Sequence, residues 1–240
     1  MKLSSIFNAG LFIIVLYASY LLILLSLPYI HFEKNVDFLL TKQLIYHKKI
    51  WLYSFYIHVF TSPIVILFGL FQFNKWFLRN RPKVHRALGK IYVFTVIIIS
   101  GPSALVMALY ANGGRITQTS FTILSILWIL FTYLAFKKIR VKNISSHVKW
   151  MMRSYALTLS AVSLRFFAYL FDLFNVNLGP RETYIILAYS SWILNLLVVE
   201  VIIYYRVTKG SLVFIWMLGC LLKNTLQKRP TLGTVNLLKF

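Results

Sequence analysis

Long apolar runs alternate with short polar or basic stretches along the whole chain. We predict six membrane-spanning helices, because each run approaches the roughly 20 residues that an α-helix needs to cross a bilayer. The predicted spans are residues 6–30, 51–76, 82–110, 120–136, 146–171 and 184–205. The first run is longer than the roughly 7–15 apolar residues of a signal peptide, so we interpret it as a retained span.

The same pattern predicts the organisation of the chain. We assign residues 1–31 to the first transmembrane helix, 32–50 to an external loop, 51–206 to a bundle of helices two to six, and 207–240 to a basic cytoplasmic tail. Within that tail, residues 211–222 are apolar but too short to cross a bilayer, so we expect them in the membrane interface. The predicted fold class is an all-α integral membrane bundle with helices two to five as a four-helix core.

Composition excludes an ordinary soluble domain. Hydrophobic residues make up 59% of the 240 and charged residues 13%, and the mean hydropathy is +0.74. Of the 26 Lys and Arg residues, 19 lie on the side shared by both termini and the loops after the second and fourth helices, and six lie on the other side. The positive-inside rule therefore predicts that both termini are cytoplasmic.

The basic residues thus set topology and attract anionic lipids of the bilayer. The net charge of +21 does not indicate nucleic-acid binding, because no basic domain is free of the membrane. The single cysteine, Cys220, excludes an intramolecular disulfide and a thiolate zinc or iron–sulfur site built from this chain alone. No Ser–His–Asp set, HExxH or Walker motif occurs, which argues against hydrolytic chemistry and leaves enzymatic activity undecided.

Ionisable side chains inside a span are costly, so each one is a candidate for function. Toward the external side, His58 on the second helix and Arg165 on the fifth are predicted at one depth. His147 and Arg165 are separated by 18 positions, so an uninterrupted helix would place them on one face, about 27 Å apart. Gln72 belongs to a small-residue and polar stripe on the second helix.

A second cluster is predicted toward the cytoplasmic side. His85 and Arg86 open the third helix, His147 and Arg153 open the fifth, and Glu200 lies near the inner end of the sixth. Three interpretations stay open: structural contacts such as an Arg153–Glu200 pair, a polar small-molecule site, and a haem iron bound by the two histidines.

Several motifs resemble a known family. The markers are His58 with Gly69 and Gln72, Arg79-x-Arg81-x-x-x-His85-Arg86-x-x-Gly89-x-x-Tyr92, Gly113-Gly114, Trp128, and His147-x-x-Trp150-Met151-x-Arg153-Ser154-Tyr155-Ala156-Leu157-Thr158 with Leu164-Arg165. This pattern is similar to a bacterial family of predicted multi-pass membrane proteins catalogued as a domain of unknown function (DUF2306-like). The resemblance implies a multi-pass protein of the bacterial inner membrane.

A weaker resemblance is to transmembrane b-type cytochromes, whose four-helix cores hold haems between paired histidines. It implies haem b with His85 and His147 as axial ligands and with Arg86 and Arg153 near its propionates. His58 has no histidine partner on the fourth helix, so the resemblance implies one haem at most. The resulting hypothesis is a membrane redox protein. The alternative is a transporter or receptor for a small anionic or lipidic molecule.

Overall fold

The computed structural model describes the backbone of residues 3–226 and the side chains of residues 10, 12–74 and 76–205. The described chain is helical throughout, with turns and no strand. Its α-helices are α1 (Leu3–Ser26), α2 (Lys49–Gln72), α3 (Lys75–Asn80), α4 (Pro82–Phe94), α5 (Gly101–Ala108), α6 (Arg115–Arg140), α7 (Ile144–Thr158), α8 (Ser160–Leu173) and α9 (Pro180–Leu226).

Six helical stretches are long and apolar enough to cross a membrane, so the predicted all-α bundle of six spans is confirmed. We call them spans 1 to 6: Phe12–His31, Lys49–Gln72, Pro82–Ala108, Arg115–Arg140, Ile144–Leu173 and Pro180–Tyr205. Span 4 differs most from its prediction of residues 120–136, because the helix continues at both ends into polar and basic residues.

The chain divides into two compact units, Met1–Val199 and Glu200–Phe240. In the first unit, span 2 packs on spans 1, 3 and 5, and span 4 packs on spans 3 and 5. Spans 2 to 5 therefore form a closed four-helix ring, as predicted. Hydrogen bonds from Ser120 to the Ala188 carbonyl and from Asn195 to the Ala156 carbonyl join span 6 to spans 4 and 5.

Local sequence signals set the ends of the helices. Pro82 occupies the first turn of span 3, where its missing N–H costs no hydrogen bond. The side chain of Asn143 accepts from the Ser146 N–H at 3.0 Å and caps the start of span 5. Gly113 and Gly114 have φ of +88° and +81° in the turn before span 4, a conformation that favours glycine. We call the end that carries Pro82 and Asn143 the basic end.

Two spans are irregular near the middle of the bundle. Span 3 contains a π-helical turn at Thr95–Ser100, immediately before Gly101 and Pro102. Span 5 is divided at Leu159, which ends α7 and precedes α8. The uninterrupted helix assumed between His147 and Arg165 is therefore broken. Both irregularities free backbone carbonyls for bonds between spans.

The segment between spans 1 and 2 is more ordered than a polar loop. It forms 3₁₀ turns at Leu27–His31 and Asp37–Ile45. Tyr29 and Leu39 pack there against Trp51 and Phe55 of span 2 in a buried, largely aromatic cluster. This segment therefore caps the end of the bundle opposite the basic end.

The second unit is described only as the continuation of α9. That helix runs to Leu226, so the apolar residues 211–222 are helical. Whether they lie in the interface stays a prediction. The rest of the predicted basic tail, residues 227–240, lies outside the described residues.

Candidate functional site

His147 lies in the first turns of span 5, where the Asn143 cap starts the helix. Its Nδ1 is 2.8 Å from the carbonyl oxygen of Ala135 on span 4. A carbonyl can only accept, so Nδ1 carries the hydrogen and Nε2 keeps its lone pair. A ring nitrogen fixed on a backbone carbonyl while the other stays free is typical of histidines that bind metal.

His85 lies in the first turns of span 3 and is half-buried. Its Nδ1 is buried and has no hydrogen-bond partner. Such an atom is uncommon in a folded protein, because a buried polar atom without a partner costs free energy. His147 acts electrostatically on His85, so the two histidines that the sequence singled out lie in one region of the bundle.

Gln72, at the end of span 2, closes the space beside His85. Its amide nitrogen lies 3.2 Å from the His85 carbonyl oxygen. A Cβ atom on Gly89 would lie 3.0 Å from the Gln72 side-chain oxygen. The space beside Gly89, one turn after His85, is therefore occupied by the Gln72 carboxamide.

Arginines lie near the starts of the same two spans as the histidines. Arg86 is exposed and interacts electrostatically with His85. Arg153 places its guanidinium over the Trp150 ring, 4.7 Å from the centroid, a cation–π arrangement. Arg81, just before span 3, is also exposed. Glu200 lies on α9 in the second unit.

Deeper in the bundle, a buried polar network joins spans 3, 4 and 5. The Tyr92 hydroxyl lies 2.9 Å from Ser154 Oγ and 2.7 Å from Thr158 Oγ1. Trp128 Nε1 donates to Thr158 Oγ1 at 2.9 Å, and Thr132 Oγ1 lies 2.6 Å from Ser154 Oγ. Every member is satisfied within the network, which argues for a structural role.

His58 and Arg165 form the second predicted cluster. His58 Nδ1 lies 3.1 Å from the Ser100 carbonyl, which is at the π-helical turn, so Nε2 keeps the lone pair. Arg165 donates from Nη1 to the Ala161 carbonyl at 2.9 Å. Electrostatic interactions link Arg165 to His58 and to Tyr29. Arg165 therefore lies within electrostatic reach of His58.

Sequence reasoning missed one buried ion. Lys42 was counted with the external loop, but it is 5% exposed. Its ammonium group donates to the Tyr110 carbonyl and to Asn112 Oδ1, and so ties the cap to the turn between spans 3 and 4. Burial lowers the pKa of Lys42 to about 8. The available signal was a lysine three and four positions after the apolar residues Leu39 and Phe38.

Comparison with known proteins gives one family match. A family model described as "Predicted membrane protein (DUF2306)" matches residues 55–203, which include both histidine clusters and spans 3 to 5 entirely. No curated protein and no solved structure matches the chain.

Proposed function

We propose that this chain, a member of the DUF2306 family of predicted membrane proteins, binds one b-type haem at the basic end of its bundle and acts in membrane redox chemistry. The observation that carries the proposal is the histidine pair. One ring offers a free Nε2 because Ala135 holds its Nδ1–H, and the other buries a ring nitrogen without a partner.

The donor set fits haem better than a metal ion bound by protein alone. In the described residues, no group of three or more His, Cys, Asp or Glu side chains could hold a metal. A structural zinc site needs about four such ligands, whereas a bis-histidine haem needs two from the protein. When bound, the haem would supply one-electron transfer.

The residues of the chain have separate roles in this proposal. His85 and His147 would be the axial ligands, and Ala135 would orient His147 through its carbonyl. Arg86 and Arg153 would pair with the propionates, because a planar guanidinium suits a carboxylate. The Gln72 side chain would have to move away from Gly89, because its carboxamide occupies the space beside that glycine. The buried network of Tyr92 would keep spans 3 and 5 in register.

We also infer the setting. The resemblance to a bacterial family supports a location in the inner membrane. The asymmetry of basic residues supports an orientation with both termini and the histidine pair on the cytoplasmic side.

The test is an absorption spectrum of detergent-purified protein, both expressed with ample haem and titrated with haemin. We expect a Soret band with sharp reduced α and β bands, lost in His85→Ala and in His147→Ala. His47→Ala is the matched control, because His47 is exposed near the opposite end and should leave the spectrum unchanged.

Folded protein that stays colourless under both conditions would overturn the haem proposal. The alternative would then stand, a transporter or receptor whose inner histidines and arginines bind a small anionic or lipidic molecule. Binding of such a molecule should depend on the same inner residues.

A further inference from the structure

Arg165 is a cation without an anionic partner inside a membrane span. Its only hydrogen bond in the described structure is to the Ala161 carbonyl, and no carboxylate acts on it electrostatically. The bond points back toward the middle of span 5, away from the outer end at Leu173, so the guanidinium does not reach toward the near interface. A guanidinium has five N–H donors, and one bond leaves the others for a ligand.

The surface around Arg165 faces lipid. Arg165 is exposed, and its neighbours Phe166 and Tyr169 are 55% and 60% exposed. A charge in this position is costly unless it finds a counter-ion. Because apolar rings flank it, the counter-ion must arrive with an apolar body that partitions into the bilayer.

A further polar group approaches Arg165 from span 1, which packs against spans 2 and 5. Tyr29, at the end of span 1, accepts from the Phe38 N–H at 3.2 Å, which leaves its own hydroxyl hydrogen free to donate. It lies within electrostatic reach of the Arg165 guanidinium.

We infer that Arg165, with Tyr29, forms a binding site between spans 1 and 5 for the oxyanion head of a membrane-dissolved amphiphile. The shared chemistry is an oxyanion on an apolar tail. Two sources would supply it, the phosphate of an anionic phospholipid and the carboxylate of a free fatty acid. The site is at the end opposite His85 and His147, so it does not depend on haem binding.

The site predicts distinct roles for its members. Arg165 provides the charge and a fork of parallel N–H donors, the arrangement that binds phosphate and carboxylate most strongly. The Tyr29 hydroxyl adds one neutral donor. The tail would lie along the exposed rings of Phe166 and Tyr169.

The experiment is native mass spectrometry of the purified full chain in detergent, titrated separately with phosphatidylglycerol, oleate and phosphatidylcholine. We expect wild-type protein to hold one equivalent of an oxyanion lipid more tightly than phosphatidylcholine. Arg165→Gln should weaken that binding about tenfold or more, as loss of a charge-assisted contact predicts. Preference for phosphatidylglycerol would identify a phosphate, and preference for oleate a carboxylate.

Arg115→Gln is the matched control, because Arg115 is an exposed arginine at the same end of the bundle. This substitution removes one positive charge outside the site, so the protein should still hold one tightly bound equivalent of the oxyanion lipid. Arg165→Lys keeps the charge but not the fork, and should bind with intermediate affinity. It also serves if the glutamine variant does not fold. Equal losses in the Arg165 and Arg115 variants, or no preference for either oxyanion lipid in the wild type, would overturn the inference.

Discussion

The ring of Tyr155 on span 5 fills the surface of span 2 that Gly69 leaves open. A Cβ atom at Gly69 would overlap the Cδ2–Cε2 edge of that ring and would lie 3.1 Å from the Tyr92 ring. The Tyr155 hydroxyl donates to the Ile66 carbonyl at 3.1 Å, one turn away on the same span. Span 2 and span 5 are thus held close by a glycine, an aromatic ring and one hydrogen bond.

Gly69→Ala should destabilise the protein by about 1–3 kcal/mol, because the new methyl group overfills a packed interface. Gly10→Ala is the control: nothing lies within 4 Å of a Cβ at that glycine, which is also in an α-helix, so its effect should be close to zero or slightly stabilising. The measurement is reversible unfolding in mixed micelles.

The same interface predicts coupling between the two positions. In a Tyr155→Ala background the space beside Gly69 is vacated, so the further cost of Gly69→Ala should largely disappear. If Gly69→Ala lowers the free energy of unfolding by the same amount in this background, the Tyr155 ring is not what the new methyl group overlaps.

Lys42 should make stability depend on pH. Burial lowers its pKa to about 8 from the ordinary value of 10.5, so the folded protein loses this proton before the unfolded chain does. Between these two values the unfolded state binds more protons, and stability therefore rises as the pH increases. Below about pH 8 the desolvation cost of the buried charge is fully present.

The check is thermal unfolding at a series of pH values from 7 to 11. Wild-type protein should show a rise in Tm across the window above about pH 8 that Lys42→Met lacks. Lys48→Met is the control, because it removes the same charge from an exposed lysine. The Lys48 ammonium lies over the Tyr110 ring, 4.8 Å from the ring centroid. If Tm falls as the pH rises, and only in proteins that keep Lys42, the predicted direction of the pH dependence is wrong.

Topology is open to a direct test. Because 19 basic residues are on one side and six are on the other, a reporter fused after Phe240 should be cytoplasmic and one inserted after Asn177 external. Insertion after Asn177 avoids the Asn112 turn, which is bonded to Lys42. An external C-terminus would mean that residues 211–222 cross the membrane and would reverse the prediction for that segment.

The sequence alone determined the spans, their number and several of their ends. The length of an apolar run is a local property, and a bilayer converts it directly into a helix that crosses. Pro82 and the Gly113-Gly114 turn act within one turn of the chain, so their effects are also readable locally. The histidine pair at the basic end was predictable because both residues follow the starts of helices on the same side of the membrane.

Only the tertiary structure decided which polar atoms meet. The rotation of each helix about its axis and its exact depth depend on packing against its neighbours, as Tyr155 against Gly69 shows. Neither the bond from His58 to the Ser100 carbonyl nor the burial of Lys42 follows from a single run of sequence. The π-helical turn of span 3 presents the Ser100 carbonyl to His58, and the folded segment between spans 1 and 2 buries Lys42. Both depend on contacts between segments that are far apart in the chain.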